Sequence, residues 1–204
     1  SRQRALLALA MFGERLRSFA PEAVRAVATN TLRVASNAAQ FLATAEAALG
    51  FPIEVVSGLE EARLIYLGAA HELPRDGVPR LVVDIGGGST ECIVGTDMQA
   101  GTLESAPVGC VALSTRHFAD GVVGREAFEH AYYAARAVFA QVAEPFAHQR
   151  WRYAVGTSGT AKSLWQVAQA QWGTDELDRD SLARIHAALI AAGHIDAVQL
   201  AGLR

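Results

Sequence analysis

Apolar positions recur along the chain in two rhythms, one near 3.6 residues and one near 2, and their alternation predicts the elements. Leu6, Leu9, Gly13 and Leu16 fall on one helical stripe, while Glu14, Arg15 and Arg17 interrupt the apolar run. The start therefore reads as an amphipathic helix rather than a leader segment. Pro21 breaks that pattern, and Ala23 to Thr29 reads as a short buried strand. Thr31 to Leu49 returns to helical spacing and stops at Gly50, a residue suited to the left-handed position after a helix. Ile53 to Val56 reads as a β-branched strand and Leu59 to Leu73 as another helix. This order predicts a parallel α/β sheet with right-handed crossovers.

The segment Pro74-Arg75-Asp76-Gly77-Val78-Pro79 separates two regular regions and marks a boundary. Beyond it, Leu81 to Ile85, Cys92 to Val94 and Gly101 to Val108 read as strands joined by short turns, an antiparallel meander. Helices are expected over Arg125 to Phe146, Gly159 to Ala170 and Ser181 to Ala192, with a strand at Trp151 to Val155. No repeat or low-complexity segment is visible. The simplest organisation is two α/β lobes, residues 1–77 and 78–204.

Composition narrows the function classes. A chain of 204 residues that is 51% hydrophobic can bury one full-sized core or two small ones. Lys plus Arg number 18 and Asp plus Glu 21, for a net charge of −3, so no global basic field draws the chain to nucleic acid or anionic lipid. Any anion must be bound locally. No apolar run approaches the roughly 20 residues of a membrane span. Cys92 and Cys110 form neither a metal-ligand spacing nor a disulfide framework; both read as structural, and a reducing cytoplasm suits them.

Four segments carry candidate chemistry. In LVVDIGGGSTECIVG, Gly86, Gly87 and Gly88 lie between Asp84 and the run Ser89-Thr90-Glu91. Glycines let backbone N–H groups converge on an anion without a Cβ in the way. The Walker loop and the dinucleotide fingerprint lead from strand to helix, whereas ECIVG reads as a strand, so this turn belongs to a β-hairpin. Two carboxylates and two hydroxyls around such a turn are the composition of a Mg²⁺-phosphate site; a hairpin whose glycines only satisfy turn geometry is the plainer alternative.

In SGLEEARLIYLG, Ser57 and Glu60 have capping-box spacing, which accounts for Glu60. Glu61 falls at the margin of the apolar stripe, where partial desolvation raises a carboxyl toward general-base range, although an ordinary solvated glutamate fits the pattern too. In YAVGTSGTAKSL, a strand runs through Thr157, Ser158, Gly159 and Thr160 into a helix, which is either a second anion site or a simple capped turn. In ATNTLRVASN, Arg33 lies where a strand gives way to a helix, the position of a phosphate clamp or of a surface ion pair.

Together the segments ATNTLRVASNAAQFL, GFPIEVVSGLEEARLIYLG, LVVDIGGGSTECIVG, VGCVALSTRHF and YAVGTSGTAKSL, from about Ala28 to Leu164, resemble the exopolyphosphatase / guanosine pentaphosphate phosphohydrolase family. The resemblance implies an actin-like (ribonuclease H-like) ATPase fold with two lobes around a phosphate-binding cleft. It implies Mg²⁺-dependent release of terminal phosphate from polyphosphate or guanosine pentaphosphate. By motif, Glu61 corresponds to the residue that activates water, and Asp84 and Glu91 to the acids near the metal. Gly86, Gly87, Gly88 and Ser89 correspond to the phosphate loop, and Arg33 to the cleft arginine.

The chain departs from the family at both ends. The opening strand with its Asp-x-Gly-Ser-Asn-Ser type phosphate loop has no counterpart, nor has the last part of the second lobe. The expectation is a piece trimmed at both ends, its first sheet left with an edge that a second copy, in a homodimer, would cover. Two other readings stay open: a kinase on the same superfamily scaffold, which the SGLEEAR context of Glu61 disfavours, and a non-catalytic phosphate- or nucleotide-binding regulator, which would not need Glu61.

Overall fold

The structure is a computed structural model and describes residues 2–147 and 150–203. The chain forms two compact units, Ser1–Glu61 and Ala62–Arg204.

In the first unit, α1 (Arg2–Leu16) is followed by a one-turn 3-10 helix (Pro21–Ala23), β1 (Ala26–Ala28), α2 (Asn30–Val34), α3 (Ala38–Leu49), β2 (Ile53–Val55) and the first turn of α4 (Gly58–Glu72). Strands β1 and β2 pair in parallel, with Ala26 opposite Ile53 and Ala28 opposite Val55, as the strand–helix alternation predicts. Two boundaries differ from expectation. The proline-led 3-10 turn takes up Ala23 and shortens the first strand. The helix expected over Thr31 to Leu49 is interrupted at Ala35, whose backbone is extended; Ser36 and Asn37 follow, and short polar side chains favour turns over helix interiors. The helix ends as predicted, at Gly50, with φ +79° and its N–H on Glu46 O at 2.8 Å. Glu46 Oε1 also accepts the N–H of Ile53 at 2.9 Å and fixes the entry to β2.

The second unit is built on β3 (Arg80–Ile85), β4 (Thr90–Thr96), β5 (Gln99–Ala106) and β6 (Tyr153–Thr157), in the order β5-β4-β3-β6. The meander β3-β4-β5 is antiparallel, and β6 joins β3 in parallel. The rest of α4 and, among the described residues, four further α-helices complete the unit: α5 (Cys110–His117), α6 (Arg125–Phe139), α7 (Ser158–Trp172) and α8 (Arg179–Ala192). Helix α6 stops earlier than its apolar periodicity suggests, and Pro145 lies in a separate 3-10 turn, Glu144–Phe146. Helix α8 opens on Asp178, whose Oδ1 accepts the Ser181 N–H at 2.7 Å; that bond holds the carboxyl below its usual range.

The core of this unit packs Ala62, Tyr66 and Ala70 of α4 with Val82 of β3 and Ile93 of β4. A Cβ on Gly95 would overlap the Tyr66 ring, so the glycine in β4 admits the aromatic. Leu59, one turn earlier on α4, is 51% exposed and stands outside the core although it shares the apolar stripe. The division between units therefore falls within α4 rather than at Pro74–Pro79. The latter segment is pinned instead. The fully buried Arg80 donates from Nη2 to Pro74 O (2.8 Å) and Asp76 Oδ1 (3.1 Å), and its guanidinium stacks over Tyr153. Gly77 N–H meets Asp97 Oδ1 at 3.0 Å, in the β4–β5 turn. Among the described residues, no helix is long and apolar enough to cross a membrane.

Candidate functional site

In the first unit, β1 ends at Ala28 and α2 follows, carrying Arg33; β2 ends at Val55 and α4 follows, carrying Glu61. Because β1 and β2 run in parallel, both helices start from the carboxyl ends of their strands, and Arg33 meets Glu61 there. Arg33 Nη1 donates to Glu61 Oε2 at 2.6 Å and to Val56 O at 3.0 Å, and the two side chains are 19% and 16% exposed. Glu61 is therefore partly desolvated, one of the two states its place at the stripe's margin allows, and not an ordinary solvated glutamate. Arg33, whose position suits either a phosphate clamp or an ion pair, has its charge paired with Glu61. The capping expectation for Glu60 is met on one side: its backbone N–H donates to Ser57 Oγ at 3.1 Å.

In the second unit, pairing brings four polar residues into one row across the sheet. Ser105 of β5 faces Glu91 of β4, Glu91 faces Asp84 of β3, and Asp84 faces Thr157 of β6. The outer two are hydroxyls that serve the inner two: Ser105 Oγ donates to Glu91 Oε1 and Thr157 Oγ1 to Asp84 Oδ2, each at 2.7 Å. Glu91 is 1% exposed, whereas Asp84 is half-buried. Two carboxylates directly opposite on an antiparallel pair repel; the hydroxyl donors offset part of that cost. The adjacent Cys92 thiol is pushed up to about 11, first by burial and then by the charge of Glu91, so it stays protonated.

The glycine turn connects Asp84 and Glu91. Gly86 N–H donates to Ser89 O at 3.0 Å and closes the hairpin, with Ser89 buried beneath it. None of the three glycines has a positive φ, so their use lies in clearance rather than in a left-handed backbone. A Cβ on Gly86 would stand 3.0 Å from Ser89 O, and one on Gly87 would stand 3.3 Å from the Val111 side chain. Helix α5 grips the turn from outside: Cys110 N–H donates to Gly86 O and Ala112 N–H to Gly87 O, both at 2.9 Å. Among the described residues, no hydrogen bond accepts the N–H of Gly87 or Gly88.

The Thr157–Thr160 turn stands beside this hairpin. Thr160 Oγ1 donates to Ile85 O at 3.1 Å, and Thr157 is committed to Asp84, so both hydroxyls brace β3 rather than projecting free toward an anion. Ser158 has φ +71°, an uncommon conformation for a residue with a side chain, and it begins α7 next to exposed Gly159.

Two participants escaped the sequence reading. Ser105 could be found only from the β4–β5 register. Gly109, the residue before α5, would place a Cβ 2.5 Å from Gly88 N and 2.6 Å from Gly86 O. The signal for Gly109 was a lone glycine between the end of a strand and a helix, indistinguishable from an ordinary turn glycine.

An acidic pair and a glycine turn thus stand together where β3 ends and β4 begins in a mixed α/β sheet. The particular family follows from comparison: the chain belongs to the Ppx/GppA phosphatase family, whose sequence model matches residues 1–204. Its fold recurs in an exopolyphosphatase-like protein (29% identity, TM-score 0.74, 82% of this chain and 53% of that one). It recurs also in the PPX-GPPA enzyme of Aquifex aeolicus (26% identity, TM-score 0.61, 88% and 57%). An exopolyphosphatase from Cytophaga hutchinsonii shares the fold at 23% identity (TM-score 0.79, 93% and 64%). The α/β fold of these phosphatases, expected from sequence as the actin-like ATPase fold, is thus the fold of this chain. The chain spans just over half the length of the first two of these relatives.

Proposed function

We propose that the chain forms part of a phosphohydrolase that releases terminal phosphate from inorganic polyphosphate, guanosine pentaphosphate or both. The observation that carries this reading is the polar row Ser105–Glu91–Asp84–Thr157 at the glycine turn, in a member of the Ppx/GppA phosphatase family. Among the described residues, the N–H groups of Gly87 and Gly88 are donors without protein acceptors, suited to the oxygens of a terminal phosphoryl group.

The row fits Mg²⁺. All its donors are hard oxygens, and the repulsion between opposed Asp84 and Glu91 is what a divalent cation would relieve. Among the described residues no group of three or more His, Cys, Asp or Glu side chains could hold a metal ion, so an ion here would complete its shell with water and substrate phosphate oxygens. Half-buried Asp84 would hold the ion, and Glu91 would act from behind it. Bound there, Mg²⁺ would offset charge on the transferring phosphoryl group.

Glu61 takes the proton of the attacking water in this reading. Its Oε2 is tied to Arg33, so the carboxylate is held in one orientation, with Oε1 the oxygen that receives the proton. Water attacks the terminal phosphorus in line with the departing bridging oxygen. The test is side-by-side phosphate release from polyphosphate, guanosine pentaphosphate and ATP by the gene product that contains this chain, with and without Mg²⁺. Mg²⁺-dependent release from either of the first two is expected; no release from any of the three would overturn the reading.

A further inference from the structure

The end of α5 and the start of α6 enclose a recess of about 420 Å³, away from the glycine turn. Arg116 and His117 come to it from the last turn of α5, and Arg125 and His130 from α6. Both arginines are exposed, and among the described residues neither guanidinium has a hydrogen bond or ion pair. His117 Nε2 is buried without a partner. Helix α6 follows Gly124, which has no side chain to cap its first-turn N–H groups, and Arg125, Glu126 and Ala127 of that turn line the recess. Two carboxylates line it as well: Asp120, whose Oδ1 is occupied by the Val122 N–H at 3.1 Å, and Glu126.

We propose that this recess is a second oxyanion site, separate from the glycine turn, and that it takes a phosphoryl group. Two uncommitted guanidiniums and a helix N-terminus provide donors from several directions. That arrangement suits a tetrahedral anion better than a planar carboxylate. The location gives the site a use. The first turn of α5 holds Gly86 and Gly87, and Arg116 lies near the other end of this eight-residue helix. At 1.5 Å per residue the helix is about 12 Å long. A chain whose terminal phosphate rests at the glycine turn can therefore lay an internal phosphoryl group in the recess. This last use rests on the proposed phosphohydrolase function, while the anion site itself does not.

The experiment follows the ring resonances of His117 and His130 and the amide resonances of Gly87 and Gly88 by NMR in the intact gene product. The probes are orthophosphate and long-chain polyphosphate, and the proteins are wild type and the exposed-site double variant Arg116→Gln/Arg125→Gln. Saturable shifts of His117 and His130 are expected, weakened about tenfold or more in the double variant, with the Gly87 and Gly88 response to orthophosphate unchanged. Much tighter binding of the long chain, with both sets of resonances moving together, assigns the recess to an internal phosphoryl group. Equal affinity for the two probes assigns it to free phosphate, and either result supports the site. Static histidine resonances with both probes, or shifts unaltered in the double variant, overturn it. Histidine shifts without glycine shifts uphold the recess and count against the glycine turn alone.

Discussion

Replacing Gly109 with alanine would add one methyl group at the point where α5 closes on the glycine turn. The new Cβ would lie 2.5 Å from Gly88 N, 2.6 Å from Gly86 O and 2.6 Å from Gly87 C, all of them backbone atoms that cannot rotate away. Gly109 has φ −152°, an extended conformation open to any residue, so the cost is steric rather than conformational. Overpacking of this kind costs about 1–3 kcal/mol. Relief by displacing α5 would also strain the 2.9 Å bonds from Cys110 N to Gly86 O and from Ala112 N to Gly87 O, each worth about 0.5–1.5 kcal/mol. The expected loss is about 2–6 kcal/mol, and a protein of this size loses about 2–4 °C of melting temperature per kcal/mol. The control is Gly68→Ala, at an exposed position of α4 where a Cβ meets nothing within 4 Å. It should raise stability by about 0.5–1 kcal/mol, because alanine loses less backbone entropy in a helix than glycine does. Urea and thermal unfolding of both variants check the pair. A Gly109→Ala protein that unfolds with the wild type, or a Gly68→Ala protein that falls as far, would refute the close approach of α5 to the turn.

Thr157→Val removes the 2.7 Å donor to Asp84 Oδ2 and should destabilise by about 1–2 kcal/mol in urea unfolding, with Thr157→Ser recovering most of it; equal losses in both would deny the hydroxyl its role. Cys92 should resist thiol reagents in the metal-free folded protein at pH 8 and react only as pH approaches about 11. Its pKa is higher folded than unfolded, so the folded state keeps the proton longer and stability should decline as pH climbs from 9.0 toward about 11. Labelling at pH 8 as fast as that of the unfolded chain would contradict this burial.

Local periodicity carried most of the fold. The parallel β1–β2 pair, the antiparallel meander and helices α6, α7 and α8 were legible because each is written in apolar spacing and turn residues over short distances; the short α5, which follows the meander directly, was not. Competition at a few positions moved the ends: Ser36 and Asn37 divide one helical run, and the 3-10 turn at Pro145 separates from α6. The division into units was not legible at Pro74–Pro79. A proline- and glycine-rich segment signals irregular backbone, whereas the buried Arg80 that ties this one down is a tertiary fact.

At the site, Glu61, Asp84, Glu91 and the three glycines stood out by residue type, but their partners did not. Extending the Thr96–Gln99 and Gly95–Ala100 pairs unchanged would set Glu104 against Glu91. An irregularity between Val94 and Gly95 shifts the register by one residue and brings Ser105 there instead, a hydroxyl donor in place of a third carboxylate. A one-residue bulge thus decides the electrostatics of the row and leaves no mark in composition. Arg33 was legible as a charged residue at a strand end, yet its pairing with Glu61 depends on two helices leaving parallel strands on the same side.

The assignment of Glu61 as the base is tested most directly by comparing Glu61→Gln with Glu60→Gln in the intact gene product, measuring Mg²⁺-dependent phosphate release under saturating polyphosphate or guanosine pentaphosphate. Glu61→Gln should lower the rate by about 10²–10⁴-fold, the contribution of a positioned general base. Glu60→Gln should keep most of the rate. Equal losses in the two variants, or full activity in Glu61→Gln, would contradict the assignment.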